Sequence, residues 1–157
     1  MRRSYVRAAF GLAQAAVVML FAGTALADHS SGYQVTGGLT IYYAVIPAEM
    51  LRAYPKGSPE AAAHASIPRG KKAHHLLVAL FEGESMERVT DARVTIRVRE
   101  IGLGWARKRL EPRTIAGALT YCNFFTFDNY ALYTIVIEVR RPGSSETITT
   151  EWEFKRH

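Results

Sequence analysis

The sequence has a single cysteine, Cys122, in 157 residues. The chain therefore folds without an internal disulfide, even in an oxidising compartment. Three readings of that thiol stay open: a buried inert side chain, a soft metal ligand, or an intermolecular partner. Recognisable catalytic signatures are also missing. There is no G-x-S-x-G, no H-E-x-x-H and no paired cysteine, and nothing marks a histidine to activate Cys122. The expectation is a protein that is not an enzyme. After the N-terminal stretch, no apolar run is long enough to span a bilayer.

The N-terminus carries the clearest single signal. Arg2, Arg3 and Arg7 precede an apolar stretch from Ala8 to about Leu26, which closes on Ala25-Leu26-Ala27 before Asp28. A basic start, an apolar middle and a small-x-small end describe a secretory signal peptide over residues 1–27. The alternative is an uncleaved anchor, because the stretch is near spanning length; the cleavage pattern argues against it. Export to the periplasm is the expectation, with residues 28–157 as one domain.

Excess charge is small once that peptide is removed. Of 20 Lys and Arg, three lie in it, leaving 17 against 14 Asp and Glu, a net of +3 instead of +6. That is too mild to point to nucleic acid. The remaining 130 residues suffice for one sizeable core.

What is present reads mostly as strands. Leu39, Ile41, Tyr43 and Val45 alternate with Thr40, Tyr42 and Ala44 until Pro47. Residues 74–82 are apolar on both faces. Ala92, Val94, Ile96 and Val98 alternate with Arg93, Thr95, Arg97 and Arg99, so this strand buries one face and shows a basic one. A Gly-Leu-Gly turn, an aromatic strand over 119–127, a strand from Leu132 to Val139, a Pro142-Gly143 turn and a last strand from Thr147 to Phe154 complete the series. The expected fold is all-β: an immunoglobulin-like antiparallel β-sandwich of about seven strands. Asn129-Tyr130-Ala131-Leu132-Tyr133 is similar to a tyrosine corner, with Asn where Asp is usual. One long loop, residues 47–73, interrupts the strands. Within it Ser58-Pro59-Glu60 before Ala61 predicts a short capped helix.

Metal-ligand side chains gather around that loop. His74 and His75 open the 74–82 strand, and Glu49, Met50 and His64 lie in the loop before it. Thioether favours Cu(I), whereas imidazole and carboxylate suit Cu(II), Fe or Zn. Adjacent strand residues face opposite ways, so His74 is expected with Leu76 on the core face and His75 with Leu77 on the other. A regular strand does not present both to one ion. The bland alternatives are a core histidine, a solvated Glu49, a rim-filling Met50 and a surface His64. His29 could bind Cu(II) adventitiously beside a new N-terminus. Arg93, Arg97 and Arg99 with Arg107, Lys108 and Arg109 form either a solvated face or a contact for an acidic partner or membrane.

These segments resemble one family, the periplasmic proteins associated with bacterial ferrous-iron uptake. Its members bind copper on an immunoglobulin-like sandwich. The family's strand Tyr followed by Pro-x-(Glu/Asp)-Met is matched by Tyr43 and Pro47-Ala48-Glu49-Met50. Its His-containing strand is matched by His75-Leu76-Leu77-Val78-Ala79-Leu80-Phe81. The family's later Met-Pro-Met, His-Tyr-Gly and Asn-Tyr segments correspond in position to Glu111-Pro112-Arg113, Thr120-Tyr121-Cys122 and Leu132-Tyr133. The resemblance implies copper or iron held by His75, Glu49 and Met50, and a homodimer. It also puts Phe81, Thr120, Glu111 and Arg113 where relatives keep ligands, with His64, His74 or Cys122 left to compensate. The function implied is a metal carrier or accessory in uptake. The alternative is a metal-free module docking on an inner-membrane transporter or another envelope protein.

Overall fold

Period-two alternation becomes two facing sheets in the computed structural model, which describes residues 30–58, 61–62, 66–128 and 130–156. The strands are β1 (Ser30–Thr36), β2 (Leu39–Pro47), β3 (Ala73–Glu82), β4 (Arg93–Glu100), β5 (Ala106–Arg109), β6 (Glu111–Ile115), β7 (Ala118–Thr126), β8 (Leu132–Arg140) and β9 (Ile148–Lys155). A five-stranded sheet has the order β1-β2-β3-β7-β6, and a four-stranded sheet the order β5-β4-β8-β9. Every ladder is antiparallel. This is an antiparallel β-sandwich of immunoglobulin type.

The inward residues make one core. Leu39, Ile41 and Val45 of β2 and Leu76, Val78 and Leu80 of β3 meet Val94, Ile96, Ile135, Ile137 and Val139 from the other sheet, all fully buried. Each such side chain is worth about 1.5–3 kcal/mol against exposure. The tyrosine corner forms: the Tyr133 hydroxyl accepts the Asp128 N–H at 2.6 Å and donates to Glu100 at 3.1 Å. Asn129 itself lies outside the described residues.

Nine strands stand where about seven were expected. Among the described residues, three of the nine, β1, β5 and β6, lie outside the six segments patterned as strands, and all three are edge strands. β5 and nearly all of β6 are exposed, and Pro112 is tolerated because β6 is an edge. The β1–β2 hairpin turns at Gly37 and Gly38, with φ of 54° and 74°. A Cβ at Gly37 would come within 2.7 Å of Ile148, so both conformation and space demand glycine there.

The long loop is partly structured. Residues Ala48–Ala53 form a 3-10 turn. Further on, the Ser58 hydroxyl accepts the Ala61 N–H at 3.1 Å and its carbonyl the Ala62 N–H at 3.0 Å, the cap its sequence predicted. The signal peptide lies outside the described residues, as do His29, His64 and His157. Among the described residues no helix is long and apolar enough to cross a membrane.

Candidate metal centre

The β2–β3 ladder brings the two halves of the expected site side by side. Ile46 is opposite His75, and Pro47 is opposite His74. Pro47 ends the strand and the chain enters the 3-10 turn directly. That turn buries Ala48 and Leu51 against the sheet. Its other side carries Glu49 and Met50 into solvent, Met50 at 56% exposure. Arg52 fixes the turn to the loop's far end, donating to the Pro68 carbonyl at 2.6 Å.

The two histidines part as strand geometry requires. His74 is fully buried on the core face. Its Nδ1 stands 3.0 Å from the Lys72 carbonyl, so in a neutral ring Nδ1 carries the proton. Its ring meets Phe127 edge-on at 5.4 Å and Phe154 at 6.1 Å. His75 is equally buried but on the outer face. There its ring lies 4.8 Å from Phe124, the residue directly opposite on β7, at 32° between planes. Nothing in the local sequence pointed to Phe124 as the cover of His75; the pairing joins segments far apart in the chain.

The structure therefore brings His75 beside the strand end that carries Glu49 and Met50, and sends His74 to the other face. Among the described residues, no three His, Cys, Asp or Glu side chains cluster well enough to hold a metal ion. The donor types suit copper; a closed donor cage is not assembled.

Other positions of the family comparison lie on the same outer face. Glu111 is opposite Cys122, and Arg113 opposite Thr120. Phe81 meets Tyr42 edge-on at 5.5 Å, with the Arg88 guanidinium 4.5 Å above its ring. This part of the face is aromatic instead of ligand-bearing.

Cys122 is buried. Burial pushes its thiol up from 9.0 to about 11, against the pull of Arg113 and with a further push from Glu111. At pH 8 roughly one molecule in a thousand carries the thiolate, the form that binds metal or reacts. Two outcomes are expected. Alkylation of the native protein at pH 8 is far slower than that of the unfolded chain. The fold also favours the protonated thiol, so that contribution to stability is complete below pH 9 and is lost as pH rises from 9 to about 11. Thermal midpoints of the native protein should fall more steeply over that range than those of Cys122→Ala. Parallel curves would show that the thiol is not coupled to folding.

Against known proteins, the likeness is structural. A DUF4426 family protein from Pseudomonas aeruginosa is 19% identical, with a TM-score of 0.61 over 81% of this chain and 96% of that one. A copper-bound variant of FetP from uropathogenic Escherichia coli is 11% identical, with a TM-score of 0.59 over 82% of this chain and 97% of that one. The copper-reconstituted P19 protein from Campylobacter jejuni is 11% identical, with a TM-score of 0.57 over 82% and 96%. No protein-family model matches the sequence, and no curated protein matches it significantly. At these identities the likeness establishes the fold. It supports the remote resemblance drawn from the Pro47–Met50 and His75–Phe81 segments.

Proposed function

We propose that the mature domain is a periplasmic carrier or accessory protein that takes a transition-metal ion, copper or iron, as cargo. His75 is the anchoring donor, and Glu49 and Met50 approach from the neighbouring turn. His74 supports β3 from the core side, and His64 is a further donor candidate from the loop. The observation that carries this reading is the β2–β3 register, which sets Ile46 against His75 and so places the Glu49–Met50 turn at the head of the histidine strand. The likeness to copper-bound FetP and P19 supports copper as the first ion to try. Exposed Glu49 and Met50 suit an ion that is passed on, because open donors exchange faster than a sealed cage. A transporter at the inner membrane is the corresponding partner, and the resemblance suggests a homodimer.

Titration calorimetry of residues 28–157 tests this. We expect one Cu ion per chain, with affinity reduced at least about tenfold, or 1.4 kcal/mol, by His75→Ala. Met50→Leu should weaken Cu(I) more than Cu(II), since only the soft ion prefers a thioether. If all binding disappears when His29 is removed, the ion was held by the new N-terminus and the proposal fails.

A second reading has its own observation. The lack of a three-donor cluster among the described residues fits a metal-free interaction module on the same sandwich. A tag-free preparation without metal, whose melting ignores added Cu and Fe, favours that module.

A further inference from the structure

The outer face of the four-stranded sheet carries six arginines from β4, β5 and β8: Arg93, Arg97, Arg99, Arg107, Arg109 and Arg140. Three of them have compensating contacts. Arg97 and Arg107 share the Glu138 carboxylate, at 2.7 and 3.0 Å. Arg97 and Arg99 lie over the Trp105 ring at 4.8 and 4.5 Å. The other three differ. Among the described residues the Arg93 and Arg109 guanidinium groups have no hydrogen bond or ion pair, and Arg140 donates to the Thr147 hydroxyl at 3.1 Å.

Arg93 and Arg140 are also direct ladder partners, and Arg109 is opposite Thr95, one step along the same face. Like charges directly opposite destabilise a sheet. The three line one open groove of about 390 Å³ together with Asp91, Arg141 and the β8–β9 turn. Arg141 is already held by Glu82 at 2.6 Å. Three guanidinium groups without an ion pair among the described residues, against one carboxylate, Asp91, leave the groove at +2. Violations of local rules of this kind are expected at functional sites.

We infer that this groove binds a phosphate group. The one or two negative charges of a phosphate group offset the +2 balance, and guanidinium forks pair its oxygens two at a time. The Arg141–Glu82 contact sets the groove near the last residue of β3, seven residues from His75, about 23 Å along the strand. It is therefore separate from the candidate metal centre. The phosphate comes either as a free anion or as a phospholipid headgroup.

Two probes separate these sources: inorganic phosphate by calorimetry at low salt, and vesicles of phosphatidylglycerol compared with phosphatidylcholine by sedimentation. Saturable binding of phosphate, one per chain, identifies the free anion. Binding only to phosphatidylglycerol vesicles identifies the headgroup. In either case R93Q with R140Q should weaken binding at least about tenfold. R93K should weaken it too, because lysine keeps the charge but lacks the fork. Removing either opposed charge should leave the thermal midpoint unchanged or raise it, which shows that the loss is not misfolding. The inference is overturned if neither probe binds. It is equally overturned if R99Q, outside the groove, weakens binding as much as R93Q, since the face would then act only through its total charge.

Discussion

Phe127→Ala is expected to lower the stability of the domain by about 3–5 kcal/mol, the largest effect of any single truncation in the core. Phe127 is fully buried just beyond the end of β7. Its ring meets Tyr133 at 4.8 Å, Phe154 at 4.9 Å and His74 at 5.4 Å, all close to edge-on. Those partners come from both sheets, so the cavity left by alanine lies between elements that the backbone prevents from collapsing together. With a urea slope of about 1–3 kcal/mol per molar for a domain of this size, the midpoint should fall by more than 1 M. Phe127→Leu keeps most of the volume and should cost less than half as much. Equal losses for Ala and Leu would show that ring–ring geometry, not cavity volume, is what the site depends on. A loss below about 1 kcal/mol for Ala would mean that the two sheets close over the gap.

The position matters for function because Phe127 backs the candidate metal centre. Its N–H donates to the Lys72 carbonyl at 2.9 Å, the same carbonyl that faces His74 Nδ1 at 3.0 Å. Any cavity there loosens the start of β3, and with it the backbone that carries His75.

Much of this arrangement was legible in the sequence, for a physical reason. Strands that bury one face write their geometry in period two, so β2 and β4 could be read from Leu39–Val45 and Ala92–Val98. The same rule separates His74 from His75 onto opposite faces. The Tyr133 corner was readable because one hydroxyl and one loop make a local motif. What was not legible depends on distant partners. β1, β5 and β6 sit at sheet edges, where side chains face water and leave no apolar trace. The burial of His75 needs Phe124, which reaches it only across the β3–β7 ladder. The arginine groove needs Arg140, whose role appears only when β8 is laid against β4. For the candidate metal centre, the sequence marked the donor types and the ladder set their segments side by side. It could not reveal that the turn would bury Ala48 and Leu51 and so leave Glu49 and Met50 outside.

Arg156→Leu is expected to cost about 2–4 kcal/mol, and its effect should be concentrated at the head of β3. The side chain is almost fully buried. Its guanidinium donates to the Phe127 carbonyl and, at 2.8 Å, to the Lys71 carbonyl. Its own N–H donates to Ala131 at 3.1 Å. One residue after β9 therefore ties the loop before β3, the chain after β7 and the approach to β8. Hydrogen bonds from a charged donor are worth about 1.5–3 kcal/mol each, and removing the donor takes this partner from the buried Phe127 carbonyl. Arg156→Lys should recover only part of the loss, because a single ammonium lacks the planar fork that serves two carbonyls. Hydrogen exchange distinguishes a clamp from ordinary core packing. If Arg156 holds the loop, the amides of residues 71–75 in Arg156→Leu should exchange faster at a denaturant concentration where β4 and β8 remain protected. Uniform acceleration across all strands would sink that idea and make Arg156 a general contributor to stability. A selective effect would mean that the orientation of His75 is set from the C-terminal end of the fold, so copper affinity should fall in Arg156→Leu although no donor has been touched.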